Sequence, residues 1–267
     1  MCRFKNIIPF IILLAITALF ACKNEPQTAT TSASAARAAI AEPFFKLDTL
    51  KKTIGDCGRK EDCLEVIAKY PIFEGGDTQA RFKINANIAR EMMESLEIGD
   101  TSGLETIGQA VLLWSDAFKE YLSEDIGDKV TLTYFCDGKG TIHENHAVTE
   151  LPVTTYTGGA HPNHYTTLAN YNLKTGDEIL LEDIITDEKK FKIIVEKAFY
   201  GYMNQKEESF QKEDFFWDKP FYLPANFALT EKGIKFIYNP YEIAAYVFGS
   251  MEFIVPYADL AGTINLP

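Results

Sequence analysis

The sequence lacks the signatures of several common enzyme classes. It contains no G-x-S-x-G motif and no serine or cysteine close to a histidine, so nucleophilic catalysis has little support. It also has no glycine-rich loop of the kind that cradles phosphates, and no repeat at the period of solenoids or propellers. Only 5 of its 267 residues are cysteine and none lie in C-x₂-C spacing, which argues against a zinc site built from cysteines.

The chain also has few basic residues relative to acidic ones. The chain has 26 lysines and arginines against 38 aspartates and glutamates, a formal net charge of -12. Residues 1–21 carry Arg3 and Lys5 and no acid, so the rest of the chain has a net charge of -14. An acidic body argues against nucleic acid as a partner and against electrostatic docking on anionic lipid, and its simplest consequence is solubility.

Residues 1–21 have the pattern of a secretory signal peptide. Arg3 and Lys5 precede an apolar run from Ile7 to Ala21. A short basic start followed by a short apolar stretch and a small residue is typical of such a signal and not of a membrane-spanning helix. We therefore expect residues 1–21 to be removed from the mature protein.

The signal ends in Leu19-Phe20-Ala21-Cys22, which resembles a bacterial lipobox with a bulkier residue than usual at Phe20. The resemblance implies cleavage before Cys22 and lipidation of this residue, which would anchor the protein in a membrane. An ordinary secreted protein with an unmodified Cys22 is the alternative. Lys23 in place of aspartate after the cysteine favours the outer membrane, so we expect a lipid-anchored protein of the cell envelope, on its periplasmic or surface face.

Residues 22–43 are rich in threonine, alanine, serine, glutamine and proline, with almost no large apolar residue. Such a segment cannot bury enough surface to offset the entropy of ordering it, so it is predicted to be a disordered tether. The folded body is expected to begin at residue 44.

Three cysteines remain in the folded body. The segment between Cys57 and Cys63 is a polar, glycine-containing loop, and we predict a disulfide between these two residues. Cys136 lies in an apolar run and is either a buried free thiol or a partner of one of the other two, because three thiols do not fix a pairing.

Alternating and helical patterns follow one another along the body. A helix is predicted to begin at Asp77 or Thr78, a second to span Leu104 to Tyr121, and a third to open at Asp187. Strands are predicted at residues 44–54, 64–73, 130–136, 141–155, 165–173, 226–230, 234–238 and 252–256, with a hairpin turn at 137–140, a short strand end at 184–185 and an irregular surface segment at 205–219. The pattern indicates an α+β fold of mostly antiparallel sheet packed with about three helices.

The most promising surface is the turn between two of these strands. Two glycines there give the backbone freedom for a tight, exposed turn, and hydroxyl, amide and imidazole groups crowd around them. From this turn the predicted ligand-binding residues are Tyr156, Thr157, Gly158, Gly159, His161 and Asn163. The alternative for His161 is an imidazole that bonds the backbone of its own turn.

A second candidate surface is the loop from residue 238 to residue 246, where aromatic and acidic groups meet. Aromatic faces beside a carboxylate suit a sugar ring or a basic protein equally well. We predict ligand contacts from Tyr238 and Glu242, and we expect Tyr241 to plug the core together with Ile243.

The four histidines form two pairs, His143 with His146 and His161 with His164. Four imidazoles from adjacent strands could hold a metal ion. Residues three apart on a strand point to opposite faces, however, so each pair is poorly arranged for a shared ion. We predict no metal and no cofactor.

Several stretches resemble one bacterial envelope family. They are Tyr156 to His161, Leu223 to Phe227, Gly233 to Phe236 and the run Tyr238-Asn239-Pro240-Tyr241-Glu242-Ile243-Ala244. The family pairs a PdaC-like (deacetylase N-terminal) unit with an RsiV-like C-terminal unit, both of unknown function. The resemblance implies a PdaC-like unit at residues 44–160 and an RsiV-like unit at 161–267, together forming one compact body.

The family takes its names from two different proteins. One is a polysaccharide deacetylase in which the module precedes the catalytic domain, and the other is a transmembrane anti-sigma factor whose extracellular part binds lysozyme. This chain ends at Pro267, where the module ends, so we expect the module alone on a lipid tether.

Together these observations favour a non-catalytic, lipid-anchored envelope module that recognises a lysozyme-like cationic protein or a cell-wall glycan. Its membrane contact is predicted to run through the lipid at Cys22. The alternative is a hydrolase or deacetylase acting on envelope polysaccharide, with His161 as the acid or base.

Overall fold

The computed structural model of the chain describes residues 41–59, 62–96, 99–123, 129–206 and 211–267. The predicted signal peptide, the lipobox with Cys22 and nearly all of the predicted tether lie outside these residues. Residues 39–267 form one compact unit. No helix within the described ranges is both long and apolar enough to cross a bilayer.

Nine strands and four α-helices make up the described part of the chain. The strands are β1 (Phe44–Gly55), β2 (Cys63–Glu74), β3 (Thr131–Asp137), β4 (Lys139–Ile142), β5 (His146–Tyr156), β6 (Asn163–Asn172), β7 (Phe227–Thr230), β8 (Gly233–Tyr238) and β9 (Met251–Val255). The helices are α1 (Thr78–Glu94), α2 (Ile107–Ser123), the one-turn α3 (Leu181–Ile184) and α4 (Glu188–Lys206). The predicted α+β fold is confirmed, and the β2–β3 pair is parallel in an otherwise antiparallel pairing scheme.

The larger sheet contains β1 to β6 and packs against α1 and α2. Helix α1 begins where predicted, because the carboxylate of Asp77 accepts hydrogen bonds from the backbone N–H groups of Gln79 and Ala80. The buried positions of α1 recur every three or four residues, and α2 presents a similar stripe that includes Trp114. The core of this half is therefore the space between the sheet and the two helices.

The smaller sheet, β7-β8-β9, packs against α4. Phe191, Val195 and Phe199 on α4 are fully buried, and the ring of Phe199 contacts six other aromatic rings. This second core is unusually aromatic, which makes its packing sensitive to ring orientation.

Three local predictions are wrong, and one of them is the continuous strand at residues 141–155, which the structure divides into β4 and β5. Residues 137–140 do not form a hairpin, because β3 and β4 run in line and both pair with β5, while the reversal occurs at His143–Asn145. Gly138 makes this possible, since a Cβ there would lie 2.7 Å from a methyl of Leu151. Residues 184–185 are not a strand end: Ile184 closes α3 and Ile185 forms an isolated bridge with Ile264.

Three asparagine side chains join the two sheets at the outer edge of β6. Asn226 accepts from the N–H of Leu168 at 2.7 Å and donates to the carbonyl of Thr166 at 2.6 Å. Asn239 accepts from the N–H of Thr166 at 2.8 Å and donates to the same carbonyl at 3.1 Å.

The third asparagine belongs to the larger sheet, and its side-chain amide bonds the backbone of the smaller sheet. Asn170 on β6 accepts from the N–H of Leu229 at 2.7 Å and donates to the carbonyl of Phe227 at 2.9 Å. A primary amide has both a donor and an acceptor, so these side chains replace the backbone ladder that a neighbouring strand would supply. The position between residues 160 and 161, where the two family units are predicted to meet, lies in the β5–β6 turn. That division stays a prediction.

Candidate functional site

The β5–β6 turn projects into solvent. Gly158 and Gly159 adopt φ values of 101° and 98°, and a Cβ at either position would meet nothing within 4 Å. The glycines are therefore required by the backbone conformation and not by a close neighbour. The hydroxyl of Tyr156 donates to the carbonyl of Gly159 at 3.0 Å and closes the turn, and Thr157 is exposed at its tip.

His161 leaves the turn and packs against the last loop. Its ring stacks on Tyr246 with centroids 3.9 Å apart and planes inclined by 20°, while Tyr246 donates its hydroxyl to the carbonyl of Pro162 at 2.8 Å. Nδ1 of His161 lies 2.9 Å from the same carbonyl, and a carbonyl oxygen only accepts. Nδ1 therefore carries the proton, which assigns Nε2 as the acceptor for the Tyr241 hydroxyl at 3.4 Å.

The prediction that Tyr241 plugs the core is wrong. Its side chain is 54% exposed, whereas Ile243 is fully buried as expected. The reason is local: Tyr241 has a φ of 69°, and this left-handed conformation turns its ring outward beside His161, with centroids 6.5 Å apart.

Tyr238 lies at the end of β8 and is fully buried, so a ligand cannot reach its ring. Its hydroxyl donates to the carbonyl of Tyr222, and burial raises the pKa of this phenol. Alternation along β8 places it in the aromatic core, three residues before the chain turns outward at Tyr241.

Glu242 is half-buried and holds the loop together. Its carboxylate accepts from the N–H of Asn239 at 2.9 Å, and burial raises the pKa of this group. Its backbone carbonyl accepts from the Tyr222 hydroxyl at 2.9 Å and from the indole N–H of Trp217 at 3.3 Å. Glu242 thus lies at the predicted surface, with its carboxylate turned to the loop backbone.

Trp217 also lies beside this loop, although no ligand contact was predicted for it. Phe216, Trp217 and Asp218 are three consecutive residues with positive φ, at 64°, 53° and 60°. This run buries Phe216 and leaves Trp217 52% exposed. The signal available in the sequence was a tryptophan within a charged segment. We call His161, Trp217, Tyr241 and Tyr246 the aromatic surface.

A polar cleft of about 410 Å³ lies between the C-terminal end of α1 and β6. Asn163, the remaining predicted residue of the turn, lines this cleft together with Glu91, Glu94 and Asn239. Burial raises the pKa of Glu91 against the opposing effect of Arg90. The cleft therefore offers amide and carboxylate groups close to the loop that carries the aromatic surface.

The four histidines do not converge. His143 and His146 stack at 4.6 Å at one end of β5, whereas His164 contacts the hydroxyl of Thr154 near the other end. Eight strand residues, about 27 Å, separate His146 from Thr154. No group of three or more His, Cys, Asp or Glu side chains in the described ranges is arranged to hold a metal ion.

Cys57 and Cys63 are joined by a disulfide with a Cα–Cα distance of 5.0 Å. Cys136 on β3 is a buried free thiol, and burial raises its pKa to about 11. Such a thiol is inert at neutral pH.

The fold is shared with solved bacterial proteins of one family. A DUF3298 family protein from Bacteroides fragilis superposes with a TM-score of 0.63 at 21% identity, over 83% of this chain and 94% of that one. A second, from Pseudomonas aeruginosa PAO1, superposes with a TM-score of 0.58 at 20% identity, over 83% of this chain and 95% of that one. No curated protein matches the chain.

A DUF3298 domain is found at residues 182–258, in a family described as "Protein of unknown function (DUF3298)". This segment contains α4, the smaller sheet and three of the four rings of the aromatic surface. The PdaC-like and RsiV-like assignments stay predictions.

Proposed function

We propose that this chain is a ligand-binding module of the bacterial cell envelope, anchored by a lipid at Cys22, and that it binds a cationic protein through the aromatic surface. The observation that carries the proposal is the exposure of aromatic rings that a strained backbone holds in place. Tyr241 and Trp217 are both more than half exposed, and both have left-handed φ values.

Strain of this kind supports a functional surface. A non-glycine residue in the left-handed region costs about 1–3 kcal/mol and persists only where the surrounding contacts enforce it. Here the indole of Trp217 and the hydroxyl of Tyr222 both bond the carbonyl of Glu242, next to Tyr241. Rigid tyrosine and tryptophan side chains at a surface are the residues that most often dominate binding energy.

Charge supports a cationic ligand. The chain has a net charge of -12, and lysine or arginine side chains are attracted to the faces of tyrosine and tryptophan. The family resemblance supplies a candidate of this kind, a lysozyme-like protein. A cell-wall glycan is the alternative ligand, because aromatic faces beside the amides of the polar cleft also suit sugars.

The geometry of His161 gives the enzyme alternative less support. Its Nδ1–H bonds a backbone carbonyl, and its ring is stacked on Tyr246. In the described part of the chain, no carboxylate bonds this imidazole as the orienting partner of a catalytic triad would.

The test is calorimetry of residues 39–267 against lysozyme and, separately, muropeptides. The informative variant is Tyr241→Gly, because glycine relieves the strain at φ 69° while removing the ring. We expect thermal stability to be kept or raised and lysozyme affinity to fall by about 30-fold, the loss of a typical hot spot. Ile193→Ala, a 58% exposed residue on α4, is the control and should bind normally.

Three results would contradict this proposal. Undiminished lysozyme binding in Tyr241→Gly and Trp217→Gly would exclude the aromatic surface. A binding heat with muropeptides and none with lysozyme would show that the ligand is a glycan and not a protein. Turnover of a muropeptide that disappears in His161→Ala would establish an enzyme.

A further inference from the structure

A long groove runs along α1, between this helix, the end of β2 and the segment that leads into α2. Its volume is about 1120 Å³, slightly above the usual range of about 300–1,000 Å³ for small-molecule sites. The segment 100–107 forms its other wall, and Tyr70 and Ile72 of β2 lie at its base. The groove belongs to the half of the chain that precedes the DUF3298 domain.

Apolar side chains of α1 line the groove along its length, beside polar ones such as Asn85. Phe82, Ala86, Ala89 and Met93 recur every three or four residues of α1 and so form one continuous wall. The phenyl ring of Phe82 is 74% exposed, the largest exposure among the aromatic side chains described. This ring extends the apolar wall into solvent and so adds to the area that a ligand could cover.

The facing wall combines apolar and polar side chains, and Asp100 and Glu105 are among the polar ones. Leu104 and Ile107 approach from the segment that leads into α2. From Arg81 to Met93 the helix rises about 18 Å, which makes the groove long and narrow. A groove of these proportions suits an extended hydrocarbon chain better than a compact ring system.

Charges are distributed unevenly between the two ends. Near the N-terminal end of α1 lies Arg81, whose guanidinium has no carboxylate within 4.0 Å in the described part of the chain. Its charge adds to that of Lys46 in lowering the pKa of the nearby Glu74, so this acid lies beyond ion-pair distance of Arg81 but within range of its charge. Arg90, which also lines the groove, is already paired with Glu91 at 2.8 Å and Glu94 at 3.4 Å. Glu94 lies thirteen residues beyond Arg81, about 20 Å along the helix and more than two Debye lengths away.

We propose that this groove binds a long-chain fatty acid, with the hydrocarbon chain along α1 and the carboxylate on Arg81. Burying each methylene of the chain away from water favours binding, and a planar guanidinium holds a carboxylate through two parallel hydrogen bonds. The hydroxyl of Thr78 lines the same end and provides a further donor. This inference does not depend on the function proposed for the aromatic surface.

The experiment measures binding of oleate and of oleyl alcohol to residues 39–267, both below the concentrations at which they aggregate, by displacement of a fluorescent fatty acid. Ala89→Trp fills the middle of the groove, and Ala117→Trp places the same ring on the exposed face of α2 as a control. We expect Ala89→Trp to lower the affinity for both ligands more than tenfold and Ala117→Trp to change neither. If Ala89→Trp fails to fold by circular dichroism, Ala86→Trp replaces it at the exposed rim of the groove.

The head group is tested separately. Arg81→Gln should weaken oleate about tenfold and leave oleyl alcohol unchanged, because only oleate has a carboxylate. Lys83→Gln, on the same helix but paired with Asp177 at 2.6 Å, is the matched control. Absence of saturable oleate binding, normal binding by a folded Ala89→Trp, or equal weakening of acid and alcohol by Arg81→Gln would each overturn the proposal.

Discussion

Tyr238 and Tyr241 are three residues apart and have opposite environments. Tyr238 continues the alternation of β8 and is buried, whereas Tyr241 follows Pro240 in a left-handed conformation and is exposed. Side-chain alternation is encoded by the regular part of a strand, and it ends where the chain turns. Tyr238 was therefore wrongly predicted to contact a ligand and Tyr241 to fill the core, although the loop that contains both was located correctly.

The environment of Tyr238 makes a prediction about stability. Tyr238→Phe leaves the carbonyl of Tyr222 without its donor, which should lower the free energy of unfolding by about 1–3 kcal/mol. Urea denaturation measures this change. Tyr241→Phe removes a hydroxyl at the exposed surface and should change stability by less than about 0.5 kcal/mol. Equal effects of the two substitutions would show that the Tyr238 hydrogen bond contributes nothing.

His146 predicts a pH effect. Burial lowers its pKa, the neighbouring His143 lowers it further, and a hydrogen bond to the carbonyl of Leu229 opposes both. The unfolded chain therefore takes up this proton first as the pH falls below about 6.5, so acid weakens the folded state through this residue.

The change in stability should be measured by urea denaturation between pH 7 and pH 5. Burial raises the pKa of Glu91 and Glu242, so these two acids make the folded state more stable as the pH falls, opposite to His146. The effect of His146 is therefore read from the difference in unfolding free energy between the wild type and a variant without this histidine. His146→Gln should lose part of the acid-dependent destabilisation, and His164→Gln, which is exposed, should resemble the wild type. Parallel curves for the wild type and His146→Gln would contradict the assignment.

At the level of secondary structure elements, the asparagine side chains that bridge the two sheets account for two of the stretches that carry the family resemblance. Asn226 lies in the stretch Leu223 to Phe227 and Asn239 in the stretch Tyr238 to Ala244, and both bond the backbone of Thr166 on β6. Both stretches carry the family resemblance, and ligand contacts were predicted for Tyr238 and Glu242 in the second one. The structure shows that the asparagine amides of these stretches hold the smaller sheet against the edge of the larger one.

Removing one bridge should therefore weaken the whole fold. Asn226→Ala leaves the N–H of Leu168 unpaired and removes one of the two amide donors to the carbonyl of Thr166, at an expected cost of about 1–3 kcal/mol because a buried backbone donor loses its partner. Thermal unfolding checks this value. Asn145→Ala, an exposed asparagine with only a 3.5 Å contact to Pro267, is the control and should unfold near the wild-type temperature.

The three long helices and most strand positions could be predicted, because each depends on a local period, whereas the one-turn α3 is too short to show one. Asp77 and the stripe Ile84, Ile88, Met92 define α1 without reference to any partner. Strand pairing was not predictable in the same way. The in-line arrangement of β3 and β4 depends on Gly138 fitting beneath Leu151, a contact between residues that are distant in sequence.

At the scale of the whole molecule, the net charge of -12 makes the kinetics of binding predictable. If the ligand is a cationic protein, raising the salt concentration from 0.05 M to 0.5 M should lower the association rate at least tenfold and change the dissociation rate little. Surface plasmon resonance separates these two rates. An association rate independent of salt would argue that charge does not steer the encounter and would favour a stacked glycan.

The stacking of His161 on Tyr246 joins a residue next to the larger sheet to a residue next to the smaller sheet. His161 follows a strand of the larger sheet, and Tyr246 lies in a loop of the smaller one, so neither hydrophobic core builds the aromatic surface alone. A ligand that covers both rings binds only the molecule in which both cores are folded, and its binding free energy is therefore shared between them. At saturating ligand concentration the two cores would therefore unfold in a single transition. A molecule in which only one core is folded would not bind the ligand.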